Sequence, residues 1–81
     1  MTLSITIIGY NEADHLKELL PQLKWSDEVI YVDCESGDGS LEIAREHGCL
    51  TFSRPNDRNL NINKSFAMDQ ASGDWIFYLD P

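Results

Sequence analysis

The stretch Leu3-Ser4-Ile5-Thr6-Ile7-Ile8 is rich in β-branched residues and closes at Gly9, a pattern that predicts a buried strand. From Glu12 to Trp25 the period changes: Leu16, Leu19, Leu20 and Leu23 recur at i, i+3, i+4 and i+7, the spacing of an amphipathic helix, with Asn11 positioned to cap its first turn. Pro21 falls inside that segment and is expected to kink or shorten it, because proline cannot donate the helical hydrogen bond. Glu28 to Val32 reads as a second strand, closed by the polar, glycine-containing run Asp33 to Ser40. Leu41, Ile43 and Ala44 open a second helix that should stop at Gly48, with His47 in its last turn. Cys49 to Phe52 predicts a third strand and Arg54 to Asn63 a polar loop. Ile62, Phe66, Ala67 and Ala71 then suit a helix over about Asn61 to Ala71, ended by Gly73, and Trp75 to Leu79 a fourth strand.

Strict alternation of strand and helix calls for an α/β fold: a Rossmann-like β-α-β-α-β-α-β arrangement with a four-stranded parallel sheet. In such open sheets ligands bind beyond the carboxyl ends of the strands, near the point where strand order reverses. That rule lines up Gly9 to Glu12, Asp33 to Ser40, the Ser53 to Asn59 loop and Asp80 along one edge. It also separates Cys34, past the end of one strand, from Cys49, at the start of the next. At about 3.3 Å per residue that gap exceeds the roughly 7 Å reach of a disulfide, so two reduced thiols are expected.

Composition narrows the function classes. With 81 residues the chain holds one small domain, spanning 1–81, since domains run to roughly 100–200 residues. Fourteen acidic against six basic residues give a net charge of −8, the wrong sign for neutralising phosphates along a nucleic acid, so no nucleic-acid partner is expected. The longest uncharged apolar run, Leu3 to Tyr10, is far shorter than the roughly 20 residues of a membrane span, and no basic segment precedes it as in a signal peptide. A cytoplasmic protein without a direct membrane span is the expectation. Two cysteines without CxxC spacing or a histidine cluster indicate no zinc site.

Glu12, Asp33 and Asp80 at one edge have two chemical uses. They can accept hydrogen bonds from sugar hydroxyls and base N–H groups, or hold a hard divalent cation against a diphosphate. Acidic residues at strand ends also serve simply as solvated groups and helix caps. Asp38-Gly39-Ser40 reads as a turn and N-cap. Gly37 and Gly39 supply only GxG, short of a dinucleotide fingerprint, and no P-loop occurs. Lys64, at the start of the third helix, and Arg54 and Arg58 on the polar loop can face an anion or remain solvated. Neither His15 nor His47 sits where a catalytic base is needed, and no Ser-His-Asp set is visible.

Four segments carry a family resemblance: Gly9-Tyr10-Asn11-Glu12, Trp25 to Asp33, Ser36 to Ala44, and Ala71 to Asp80. Together they resemble family 2 glycosyltransferases of the GT-A fold, with likeness to the lipopolysaccharide-core glucosyltransferase-like branch. The resemblance implies a hexosyltransferase reaction: inverting transfer of a sugar from a nucleotide-diphosphate donor, a UDP-sugar above all, to an acceptor hydroxyl. It further implies that Tyr10 and Glu12 line the base and ribose pocket, that Asp33 hydrogen-bonds a uracil-type base, and that Lys64 lies near the nucleotide. Asp80 would be the first carboxylate of an Asp-x-Asp motif that touches the ribose and binds Mn²⁺ or Mg²⁺. Cys34 and Gly37 depart from the residues common in that family. Its second metal carboxylate, acceptor-binding half and catalytic base correspond to positions beyond Pro81. The expectation is thus a truncated, donor-binding N-terminal portion with weak or absent metal binding and no transfer alone, whose missing C-terminal half would meet its exposed sheet edge; the alternative is a non-catalytic nucleotide-binding or self-associating module, in which that edge meets a second copy. The parent enzyme would work at the inner face of the membrane. A half-sheet of this kind should bury less surface than a finished domain.

Overall fold

A computed structural model describes residues 2–56 and 60–79. The elements alternate as expected: β1 (Leu3–Gly9), α1 (Ala13–Leu19), β2 (Glu28–Asp33), α2 (Ser40–Glu46), β3 (Leu50–Ser53), α3 (Leu60–Gln70) and β4 (Trp75–Leu79). The helix at Leu16 is shorter than its apolar period suggests. It tightens into a 3₁₀ turn over Leu20–Leu23, beginning one residue before Pro21. A 3₁₀ turn repeats every three residues, so Leu20 and Leu23 still fall on the buried side. α2 ends in a Schellman arrangement: Gly48 adopts φ +84, its N–H donates to the Arg45 carbonyl, and the Cys49 N–H reaches back to Ala44. Those bonds hold Cys49 in the turn, and β3 starts one residue later than the sequence pattern suggests.

All strand pairs are parallel, in the order β3-β2-β1-β4. Ile5, Ile7 and Tyr31 pack with Leu16, Leu20, Leu23 and Ala44 on the face that α1 and α2 cover. Ile8, Ile30, Val32 and Cys34 pack with Ala67 of α3 on the other. Burial on both faces explains why β1 reads as a near-continuous apolar run instead of an alternating one. The chain steps outward from β1 to β3, and α3 then returns it to the far side of β1. The strand order therefore reverses between β1 and β4.

Three expectations fail here. Ile62 is 46% exposed, whereas Asn63 is 1% exposed and forms the inner face of α3 with Ala67. The reason is polar: the Asn63 amide donates to the Pro55 carbonyl at 3.0 Å and to Cys34 Sγ at 3.4 Å, and so fixes the helix's rotation. Asn11 does not cap α1 either; it sits at φ +52 with its side chain engaged elsewhere. The accessible surface, 4956 Å², also matches the roughly 4,900 Å² that scaling gives for a complete globule of this mass. The half-sheet does not bury less than a finished domain overall. Part of its apolar exposure lies on β4, where Trp75 is 61% and Phe77 59% exposed. Cys34 and Cys49 are free thiols.

At the amino ends of the strands, Glu28 straps the α3–β4 turn to the sheet. One of its carboxylate oxygens accepts the Ser72 N–H at 3.0 Å and the Ser4 hydroxyl at 2.9 Å, and the other accepts the Ser72 hydroxyl at 2.9 Å. The Ser72 N–H above all holds this carboxyl below its ordinary 4.5, against the opposing effect of burial. A depressed folded pKa means stability that is present above pH 4.5 and lost as pH falls through the folded value. Thermal midpoints are accordingly expected to fall more steeply on acidification for the wild type than for Glu28→Gln. Parallel curves for the two proteins would remove Glu28 from the acid response.

Candidate functional site

The register puts Gly9, Asp33 and Ser53 side by side at the carboxyl edge, so the loops after β1, β2 and β3 leave the sheet together. The first two are laced by hydrogen bonds. The Asn11 N–H donates to Ser36 Oγ at 2.7 Å, the Gly37 N–H to Asn11 Oδ1 at 2.8 Å, the Glu12 N–H to Ser40 Oγ at 3.0 Å, and the Ala13 N–H to Asp38 Oδ2 at 3.0 Å. α1 is thus capped by side chains from the next loop. Asp38 also accepts the N–H and hydroxyl of Ser40 through Oδ1, and so serves both helices. Ser40 donation is the main reason its carboxyl is held below the usual range. Its expected capping role holds, and it extends to a helix 25 residues earlier in the chain.

Asp33 lies beneath this lacing, 3% exposed. Its Oδ1 accepts the Tyr31 hydroxyl at 2.8 Å and the Ser36 hydroxyl at 2.7 Å, while Oδ2 accepts the Ser36 N–H at 2.9 Å. Tyr10 is half exposed directly above the end of β1. Glu12 engages His15 Nδ1 through one oxygen, and that bond raises the pKa of the exposed imidazole. Tyr10, Glu12 and Asp33 therefore share one edge.

Lys64 approaches from the other face of the sheet, its Nζ 4.6 Å from the centre of the Tyr78 ring. Arg54 stacks over Phe66 at 4.5 Å, and Phe66 meets Phe52 edge-on at 5.4 Å. Each cation rests on an aromatic ring, which orients it without neutralising it. The positive groups thus stand on the α3 side, and the carboxylates on the side of α1 and α2. Asp80 and Arg58 lie outside the described residues.

Sequence reasoning did not find Tyr31, Ser36, Asn11 or Asn63 in these roles. A signal existed for Tyr31, since residues two apart on a strand share a face and Tyr31 precedes Asp33 by two. The partners of Asn11 lie 25 and 26 residues away, and only the strand register brings them together. Among the described residues the larger surface cleft lies at the opposite end of the sheet, lined by Leu23, Glu28 and Cys49, where no strand presents its carboxyl end. A smaller one opens at the start of α1 beside Glu12, His15 and Asp38.

The fold and the sequence both have known counterparts. The crystal structure of mannosyl-3-phosphoglycerate synthase from Rubrobacter xylanophilus has a similar fold, with a TM-score of 0.69 at 21% sequence identity; the match covers 99% of this chain and 30% of that one. The chain therefore spans under a third of the length of that solved structure. Residues 4–81 match the family described as Glycosyl transferase family 2. With that match extending over nearly every residue, and the reversal of strand order beside a carboxylate-bearing edge, the chain belongs to glycosyl transferase family 2.

Proposed function

We propose that these residues bind the nucleotide-diphosphate-sugar donor of a glycosyltransferase, with the base and ribose over the β1 and β2 loops and the diphosphate toward Lys64. The observation that carries the reading is the convergence of Tyr10, Glu12 and Asp33 at the carboxyl edge, within a chain matched to the family from residue 4 to 81. The polarity of the pocket supports the orientation. The N–H groups of Asn11, Glu12, Ala13, Ser36, Gly37 and Ser40 all have side-chain acceptors, so this helix start is not a phosphate cradle. An anion is better served by Lys64, while the free oxygen of Glu12 suits a ribose hydroxyl.

UDP-sugars are the donor class we assign, and inverting transfer to an acceptor hydroxyl, in cell-envelope polysaccharide synthesis, is the reaction we assign to the complete enzyme. Donor binding alone is assigned to these 81 residues. A divalent cation on the diphosphate would involve Asp80, outside the described residues; among those described, no group of three or more His, Cys, Asp or Glu residues could hold a metal ion. When bound, such a cation offsets charge on the leaving diphosphate. Nor is any described helix long and apolar enough to cross a membrane.

Amide chemical shifts recorded while UDP or UDP-glucose is titrated in the presence of Mg²⁺ test the reading. Shifts are expected at Tyr10, Glu12 and Asp33, and an unperturbed edge at millimolar nucleotide overturns it.

A further inference from the structure

Tyr31 is a fully buried phenol whose hydroxyl ends on a carboxylate at the ligand-facing edge of the sheet. Its ring packs in the core beneath α1 with Ile7 and Leu16. The hydroxyl reaches Asp33 because the neighbouring strand offers glycine: a Cβ at Gly9 would stand 2.7 Å from Tyr31 Oη and 3.0 Å from Cε1. Burial, and then the hydrogen bond to Asp33, push the phenol's pKa far up, so it stays a neutral donor. Gly9 and Tyr31 thus form a built support for one carboxylate.

That support limits what Asp33 can still accept. An ionised carboxylate offers about four acceptor positions, two on each oxygen. The hydroxyls of Tyr31 and Ser36 occupy both positions on Oδ1, and the Ser36 N–H occupies one on Oδ2. Within the described residues, a single position on Oδ2 is left for a ligand.

We infer that Tyr31 is a specificity-determining positioning residue: with Ser36 it leaves Asp33 one acceptor, which suits the lone N3–H of uracil and rejects the paired N1–H and N2–H₂ donors of guanine. The inference rests on the proposed contact between Asp33 and the base. Uracil places its imide N–H between two carbonyls and asks for one acceptor. Guanine presents two adjacent donors, and the second would be left unpaired against a nearly closed wall. An unpaired donor in such a site is a strong basis for rejection.

Calorimetric titration of the full chain with UDP and with GDP tests this, using wild type, Tyr31→Phe and Ser36→Ala. The wild type is expected to favour UDP by roughly tenfold or more, the discrimination typical of one buried unpaired polar group. Either variant frees a position on Oδ1, and the UDP:GDP preference is expected to fall at least severalfold. Tyr31→Phe requires a matching circular-dichroism spectrum. Ser36 is only partly buried, so Ser36→Ala keeps the test available if the core variant misfolds. Because Ser36 also holds the Asn11 N–H, the ratio and not the absolute affinity is the readout. The diphosphate of 3-methyluridine, which lacks the N3–H, is expected to bind as poorly as GDP. Equal binding of UDP and GDP by the wild type, or an unchanged ratio in a folded variant, overturns the role of Tyr31 while donor binding stands. Binding of neither nucleotide by the wild type overturns both.

Discussion

Replacing Gly73 with alanine is expected to lower stability by about 3 kcal/mol, the upper part of the range for overpacking in a closed site. The added Cβ would stand 2.6 Å from Ser4 Oγ, 2.9 Å from the Ser4 nitrogen and 3.2 Å from the Leu3 carbonyl carbon. A flexible side chain could swing away, but two of these three atoms are backbone. Ser4 is fully buried on β1, the strand held between β2 and β4, and cannot retreat without disturbing a ladder. The Gly73 N–H also donates to Ser4 Oγ at 2.9 Å, so relieving the clash sacrifices that bond. For a domain of this size each kcal/mol shifts the melting midpoint by roughly 4–8 °C, and a drop of more than about 10 °C is expected. Gly37→Ala is the control, since nothing lies within 4 Å of a Cβ there. Its effect should stay within about 0.5 kcal/mol. Similar melting curves for the two variants would refute the packing argument.

Gly73 also illustrates which features were legible beforehand. Its place as a helix stop follows from local pattern, and so do the four strands and three helices. Each depends on residues within a few positions of one another, where periodicity and turn chemistry act. The close approach to Ser4 depends on β4 returning beside β1, and helical or strand period carries no information about that pairing. Asn11 and Asn63 were misjudged for the same reason. As isolated residues they suggest a cap and a polar loop end, whereas their amides are committed to Gly37, Pro55 and Cys34 across the fold. The hydrophobic rule failed at Ile62 because hydrogen bonds at Asn63 outweighed one apolar contact in setting the rotation of α3. The carboxylates at the edge were visible because topology alone delivers strand ends to one side. Their hydrogen-bond state was not, since it depends on Ser36 and Tyr31 as well as on position.

Asp33 is where that hidden state has the largest functional consequence. Asp33→Ala is expected to reduce UDP affinity by roughly 100-fold or more, because the base N–H loses its acceptor and the supporting loop loses its anchor. Three donors that now meet the carboxylate would be stranded: the Tyr31 hydroxyl, the Ser36 hydroxyl and the Ser36 N–H. Leaving a buried donor unpaired costs about 1–3 kcal/mol, and a stability loss near 3 kcal/mol is expected even though the Ser36 groups can partly reach water. Asp33→Asn should fall between this variant and the wild type. If its amide nitrogen turns toward Tyr31 and Ser36, those hydroxyls accept instead of donate, and the remaining oxygen still receives the Ser36 N–H. That arrangement retains one acceptor for the base but gives up the charge and leaves the Tyr31 proton without a partner. The order wild type, Asp33→Asn, Asp33→Ala is therefore expected for both UDP affinity and urea-unfolding midpoint. If the alanine variant bound UDP as tightly as the wild type, Asp33 would be a purely structural carboxylate and the base would have to be read elsewhere. If the asparagine variant matched alanine in binding while keeping its stability, the charge on Asp33 would matter more than the number of acceptors it leaves open.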